Sequence, residues 1–185
     1  MRKIVVTGAP GTGKTVVIEA LEAAGYPCFH EIIRSMTAEA KSAGTIKEQV
    51  SNPLAFVDDP YAFNRSLLQG RIDHFLKADK QPDALCFFDR GIPDVLAYMD
   101  YFDQAYEPDF TEACETHRYD AVYILPPWKA IYVSDNERLE TFEEAEALHE
   151  YLMATYTRFG YTPVTVPKTT IENRTDFVLK DLNLK

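Results

Sequence analysis

The stretch Ile4-Val5-Val6-Thr7-Gly8-Ala9-Pro10-Gly11-Thr12-Gly13-Lys14-Thr15-Val16-Val17-Ile18 constrains this chain more than any other. An apolar run that reads as a strand ends at Gly8. After four intervening residues come Gly13-Lys14-Thr15, which complete the spacing G-x-x-x-x-G-K-[ST] of a phosphate-binding loop. Its physics is local. Glycines permit a tight turn whose backbone N–H groups point inward at phosphate oxygens. A helix starting near Gly13 adds the positive end of its dipole. The expected cradle is Gly8, Ala9, Pro10, Gly11, Thr12, Gly13, Lys14, Thr15 and Val16. Lys14 is expected to reach the β- and γ-phosphates of ATP, and the Thr15 hydroxyl to ligate Mg²⁺.

Composition narrows what surrounds this loop. A chain of 185 residues with 46% hydrophobic content suits one α/β domain with a sizeable core. No apolar run approaches the roughly 18 residues a membrane span needs. The N-terminus enters a strand at once and lacks the layout of a signal peptide. Cys28, Cys86 and Cys114 sit in or beside apolar runs, which reads as buried, reduced thiols in a cytoplasmic protein. A net charge of −10 argues against nucleic acid as a partner. Lys3, Lys14, Arg34 and Arg90 would make a positive pocket for a small phosphorylated ligand if they converged.

Strand-like and helix-like stretches alternate, which predicts a mostly parallel sheet covered by helices. Strands are expected at Lys3–Thr7, Tyr26–His30, Ala84–Phe88, Ala121–Leu125 and Thr162–Val166. Helices are expected from Gly13 to Ala24, from Glu31 to Ala43, over Tyr61–Ala78, Ile92–Tyr101 and Phe110–His117, and from Phe142 to Phe159. Thr141-Phe-Glu-Glu144 and Thr169-Thr-Ile-Glu172 read as capping boxes, the second opening a terminal helix.

Two further stretches carry chemistry. Leu85-Cys86-Phe87-Phe88-Asp89-Arg90-Gly91 is an apolar strand ending in an acid. In an open parallel sheet ligands gather at the carboxyl ends of strands, which brings Asp89 beside the phosphate loop. There it can hold Mg²⁺ through water or accept a proton from an attacking hydroxyl; capping the next turn is the plainer alternative. Arg90 is a candidate phosphoryl clamp or a structural ion pair. His30-Glu31-Ile32-Ile33-Arg34 follows strand two. Glu31 and Arg34, three apart, share a helix face and can form an acceptor site or a simple ion pair. Gln69 and Arg71 are weaker acceptor candidates. Trp128 and the aromatic group Tyr98, Tyr101, Phe102 and Tyr106 are either stacking or packing residues.

Together Gly8–Thr15, Glu31 with Arg34, and Asp89-Arg90-Gly91 resemble the nucleoside- and nucleotide-kinase type of phosphate-loop protein. More narrowly, the chain resembles a small predicted-ATPase family related to the kinase domain of ribosylnicotinamide kinases. Pro126-Pro127-Trp128, Asn136-Glu137-Arg138 and Val166-Pro167 with Glu172 and Arg174 share in that resemblance. It implies a three-layer fold with a five-stranded parallel sheet in 2-3-1-4-5 order. It also implies that Asp89 and Arg90 are catalytic, that Glu31 meets the acceptor hydroxyl, and that Arg138 lies in a lid over about residues 126–140. That segment holds two basic residues, Lys129 and Arg138, where adenylate-kinase-like lids carry several arginines. Related folds place adenine beside Val166-Pro167-Lys168.

The expected reaction is phosphoryl transfer from ATP·Mg²⁺ to a small acceptor. Lys14, Asp89, Arg90, Glu31 and Arg138 carry the catalysis, Thr15 and Asp89 hold the metal, and Glu31, Arg34 and Gln69 face the acceptor. A nucleotide-dependent switch read by a protein partner stays open beside it, because the lid is sparse and no acceptor motif is diagnostic.

Overall fold

The computed structural model describes residues 1–33, 59–132 and 141–185. Five parallel strands form one sheet in the order β2-β3-β1-β4-β5. They are β1 (Arg2–Gly8), β2 (Cys28–Phe29), β3 (Leu85–Asp89), β4 (Ala121–Leu125) and β5 (Val164–Thr165). The helices are α1 (Lys14–Ala23), α2 (Pro60–Ala78), α3 (Pro93–Tyr101), α4 (Pro108–Thr116), α5 (Phe142–Arg158) and α6 (Ile171–Asp181). This is the three-layer, nucleoside-monophosphate-kinase-like order expected above. The two edge strands are shorter than the apolar runs suggest, since only part of each run finds a neighbour to pair with.

Period-two alternation along the strands divides the core between the two faces. Ile4 and Val6 of β1, Leu85 and Phe87 of β3 and Tyr123 of β4 pack against Val17, Ile18 and Leu21 of α1 and Val178 and Leu179 of α6. Val5, Cys86, Phe88 and Val122 point the other way, onto Leu67 and Phe75 of α2, Val95 and Leu96 of α3, Phe110 of α4 and Tyr156 of α5. Cys28 is half-buried, and Cys86 and Cys114 are buried and free.

Helix starts follow their local chemistry. Asp59 caps α2 by accepting from the Ala62 N–H, with Pro60 just inside. Thr141 and Glu144 form a complete capping box on α5. The cap of α6 falls one residue later than the sequence suggests: Thr170 accepts from the Asn173 N–H, so Glu172 is not part of a box. Among the described residues, no helix is long and apolar enough to cross a membrane.

Register sets the functional edge. Val6 pairs with Asp89, and Gly8 pairs with Leu125. The loop that leaves β1 is therefore flanked by the ends of β3 and β4. Lys3 pairs with Cys86 near the other end of the sheet and holds Asp79 at 2.7 Å while lying over the Phe75 ring. Five residues of strand, about 17 Å, separate Lys3 from Gly8. It takes no part in a positive pocket at the loop.

Candidate active site

The loop is tight where it leaves β1. A β-carbon on Gly8 would lie 2.6 Å from the Leu125 carbonyl oxygen and 2.9 Å from Thr12 Oγ1, so no side chain fits there. The Thr12 hydroxyl donates to the Ala9 carbonyl at 2.9 Å and braces the turn from inside. Lys14 and Thr15 open α1, and Val16 faces outward. Burial and the nearby Arg90 guanidinium pull the Lys14 pKa down to about 8, against the opposing pull of Asp89, Glu31 and Asp94.

Across from the loop, Glu31 lies between two arginines. Its Oε2 is 2.5 Å from Arg90 Nε, and its Oε1 accepts from Arg71 Nη2 at 3.3 Å. Arg71 also donates Nη1 to the Gly91 carbonyl at 2.7 Å. Burial alone would raise the Glu31 pKa, but Arg71, Arg90 and Lys14 together outweigh it and hold the carboxyl below its ordinary value. Arg90 adopts a left-handed backbone, φ 73°, which costs a non-glycine residue about 1 kcal/mol. Its guanidinium stacks over the Tyr98 ring at 5.1 Å, and Tyr98 and Tyr101 pack against the cluster that includes Ala9 of the loop.

Asp94 underlies this arrangement. Its fully buried carboxylate accepts from the Thr7 hydroxyl at 2.5 Å, the Tyr156 hydroxyl at 2.5 Å, the Gly91 N–H at 2.9 Å and Arg90 Nη1 at 3.1 Å. Burial pushes its pKa up, and Arg71, Arg90 and the two hydroxyls reverse that and leave it lowered. One carboxylate thereby ties β1, α5 and the turn after β3 to the guanidinium that holds Glu31. Asp89 has the opposite surroundings. It is buried, and among the described residues its Oδ1 finds no hydrogen-bond partner. Burial raises its pKa, Lys14 pulls it down and Glu31 adds to the rise; the net shift is upward.

The expected residues thus divide. The cradle, Lys14, Thr15, Glu31, Asp89 and Arg90 come to one edge of the sheet. Gln69 does not: it is exposed on α2 and donates to Asp73 at 2.9 Å, whereas Arg71, two residues on, faces inward. His30 is exposed and pairs with Glu22 of α1. Arg34 and Arg138 lie outside the described residues, as does the helix expected from Glu31 to Ala43 beyond Ile33; Ile32 and Ile33 are helical. Asp94, Thr7 and Tyr156 escaped the sequence reading; the one local signal was the Arg90/Asp94 spacing of four.

On the far side of the loop, Thr12, Leu125, Pro126, Trp128, Pro167, Lys168 and Arg174 line a small, partly open depression. This depression sits between the ends of β4 and β5, where the resemblance places adenine.

A family profile described as an AAA domain matches residues 3–174. The chain belongs to the AAA-domain family. No curated protein matches this AAA-domain chain in sequence. Solved structures do match its fold. A NadR protein in complex with NR superposes with a TM-score of 0.75 at 20% identity, over 100% of this chain and 52% of that one. The AAA-domain chain thus spans about half the length of that relative. Deoxyadenosine kinase from M. mycoides with bound dATP gives 0.62 at 18% identity, over 98% of this chain and 99% of that one. Thymidylate kinase from Ehrlichia chaffeensis gives 0.62 at 16%, over 98% of each chain. The fold is that of phosphate-loop nucleoside and nucleotide kinases.

Asp94 offers a direct check on the buried network. Asp94→Ala would strip a counter-charge from Arg90 and orphan two hydroxyls, and is expected to cost about 3–5 kcal/mol in urea unfolding. A loss below about 1 kcal/mol would show that the network does not depend on it.

Proposed function

We propose that this protein transfers the γ-phosphoryl group of ATP to a hydroxyl on a small, nucleoside-like acceptor. The observation that carries this reading is the unpartnered Oδ1 of Asp89 beside the phosphate loop, at the same edge as Glu31 between Arg71 and Arg90. The loop amides and Lys14 hold the phosphates. The residues present suit a metal: the Thr15 hydroxyl, and the Asp89 carboxylate through a water that leaves an oxygen for the proton, are hard donors, and among the described residues Asp89 Oδ1 lacks a partner. Mg²⁺ bound there with the nucleotide would neutralise charge on the β- and γ-phosphate oxygens.

The acceptor oxygen attacks the γ-phosphorus, the bond to the β–γ bridging oxygen breaks, and ADP leaves. The hydroxyl proton goes to a carboxylate. Asp89, with its raised pKa and open oxygen, is the better base; Glu31, neutralised by two guanidiniums, is better suited to orient the acceptor. Arg90 adds fixed positive charge at this edge, and Arg138 remains the expected cation of the 126–140 segment. An arginine placed on the moving phosphoryl group is worth on the order of 10³-fold in rate. Arg71 and Arg90 are already paired with Glu31 and Asp94, which supports an uncharged acceptor over a phosphorylated one. The NadR complex with NR and the deoxyadenosine kinase with dATP support a nucleoside-like acceptor and an adenine nucleotide. The depression beside Trp128 and Lys168 lies where the resemblance places the base.

The test is ADP production from ATP with and without a panel of nucleosides. One nucleoside is expected to stimulate turnover, and Lys14→Ala is expected to abolish it with the fold intact. Turnover that ignores every acceptor, or survives in the lysine variant, contradicts the proposal.

The lowered Lys14 pKa adds a pH signature. The cation that binds phosphate predominates below about pH 8 and is lost above it. ATP affinity in the free enzyme should therefore be flat below that pH and weaken by about tenfold per unit above it, as linkage requires. Lys14→Arg should remove the dependence. Calorimetric titrations between pH 7 and 9.5 read both outcomes.

A further inference from the structure

Arg174 has no role in the reaction outlined above, yet it is among the most buried charges in the protein, 6% exposed. It stands on the first turn of α6, which Thr170 caps and which Val178, Leu179 and Leu182 fasten to Val17, Ile18 and Leu21 of α1. From there the side chain reaches 162 residues back along the sequence. Its Nη1 donates to the Thr12 carbonyl at 3.1 Å. The guanidinium lies against Gly13: a β-carbon there would sit 2.9 Å from Nη1. Gly13 has φ 81°, a left-handed backbone that favours glycine, and a β-carbon there would push the guanidinium aside.

Two features make this contact unlike an ordinary structural arginine. Among the described residues Arg174 has no carboxylate within ion-pair distance, and burial is the one influence that shifts it. An unpaired buried cation is expensive unless an anion arrives nearby. Among the described residues its Nε is also buried without a hydrogen-bond partner. The side chain lines the depression shared with Trp128 and Lys168.

Peptide geometry supplies the consequence. No peptide bond in the described chain is cis. In a trans peptide the C=O and the following N–H point in opposite directions. Fixing the Thr12 carbonyl toward Arg174 therefore fixes the Gly13 N–H on the opposite side of that peptide, toward the cradle. We propose that Arg174 is a positioning residue that locks the Thr12–Gly13 peptide in its phosphate-binding orientation and lends the loop a positive charge. The role rests on the ATP-binding reading given above. It concerns the polyphosphate, not the base, although Arg174 borders the depression assigned to the base.

The probes are Mg²⁺·tripolyphosphate and adenosine, titrated separately by calorimetry and by ligand-observed NMR. The variants are Arg174→Met, which keeps the stem and removes the charge and donors, and Arg174→Lys, which restores a cation. A charged hydrogen bond lost at this position should weaken tripolyphosphate binding about tenfold or more in R174M. R174K should recover part of it, and adenosine affinity should stay within about twofold of wild type in both. Unchanged tripolyphosphate binding in R174M overturns the proposal, as does a loss confined to adenosine or equal for both probes. Should R174M not fold, R174K decides: a tripolyphosphate affinity below wild type with adenosine unchanged supports the role, and the reverse pattern overturns it. Wild-type protein that binds neither tripolyphosphate nor ATP would remove the nucleotide reading itself, a failure distinct from that of Arg174.

Discussion

Glu31 is held between Arg71 and Arg90, and this pairing decides what each carboxylate at the sheet edge can do. Three cations, Lys14, Arg71 and Arg90, face three carboxylates, Glu31, Asp89 and Asp94. Overall balance makes their burial affordable; uneven distribution gives them different chemistry. Glu31 and Asp94 take the guanidiniums and stay ionised. Asp89 keeps an oxygen without a partner and a raised pKa. Environments that push neighbouring carboxyl groups apart are how one site separates a charged positioning group from a base. In the proposed kinase, Asp89 is the group left to act.

The pairing in turn needs a rigid support, and Asp94 provides it from below. Its partners come from β1, α5 and the turn after β3, so the guanidinium of Arg90 is fixed by elements far apart in the chain. The left-handed backbone at Arg90 belongs to the same design. Strain of about 1 kcal/mol is tolerated because two carboxylates and the Tyr98 face hold the side chain. On the opposite flank of the loop, Arg174 gives comparable support to the Thr12 carbonyl. Among the described residues the phosphate loop thus lies between a balanced charge cluster on one side and the Arg174 cation on the other.

What the sequence disclosed follows the range of the interactions involved. The loop, α1 and the position of Asp89 were legible because each is set by residues within a few positions of one another. The strand order came from resemblance to a known family, since nothing local fixes which strands pair. The choice of Gln69 over Arg71 was a matter of helix phase: Leu67, Arg71 and Phe75 share the buried stripe of α2, four residues apart, and Gln69 lies off it. Asp94 was not legible because its decisive partners, Thr7 and Tyr156, are 87 and 62 residues away in sequence. Lys3 was grouped with the site on charge alone, and strand direction puts it near the far end of the sheet. The α6 cap moved from Thr169 to Thr170 because either hydroxyl can cap a helix, and backbone geometry overrode the Glu172 spacing that pointed to Thr169.

The central claim is that one fold edge keeps Glu31 charged and paired while leaving Asp89 poised to take a proton. A titration of side-chain carboxyl ¹³C shifts in the ligand-free protein measures this directly. The account predicts that Glu31 titrates below the ordinary carboxylate range of about 4 and Asp89 above it. Inverted values, or two carboxyl groups that titrate together at the ordinary pKa, would contradict it.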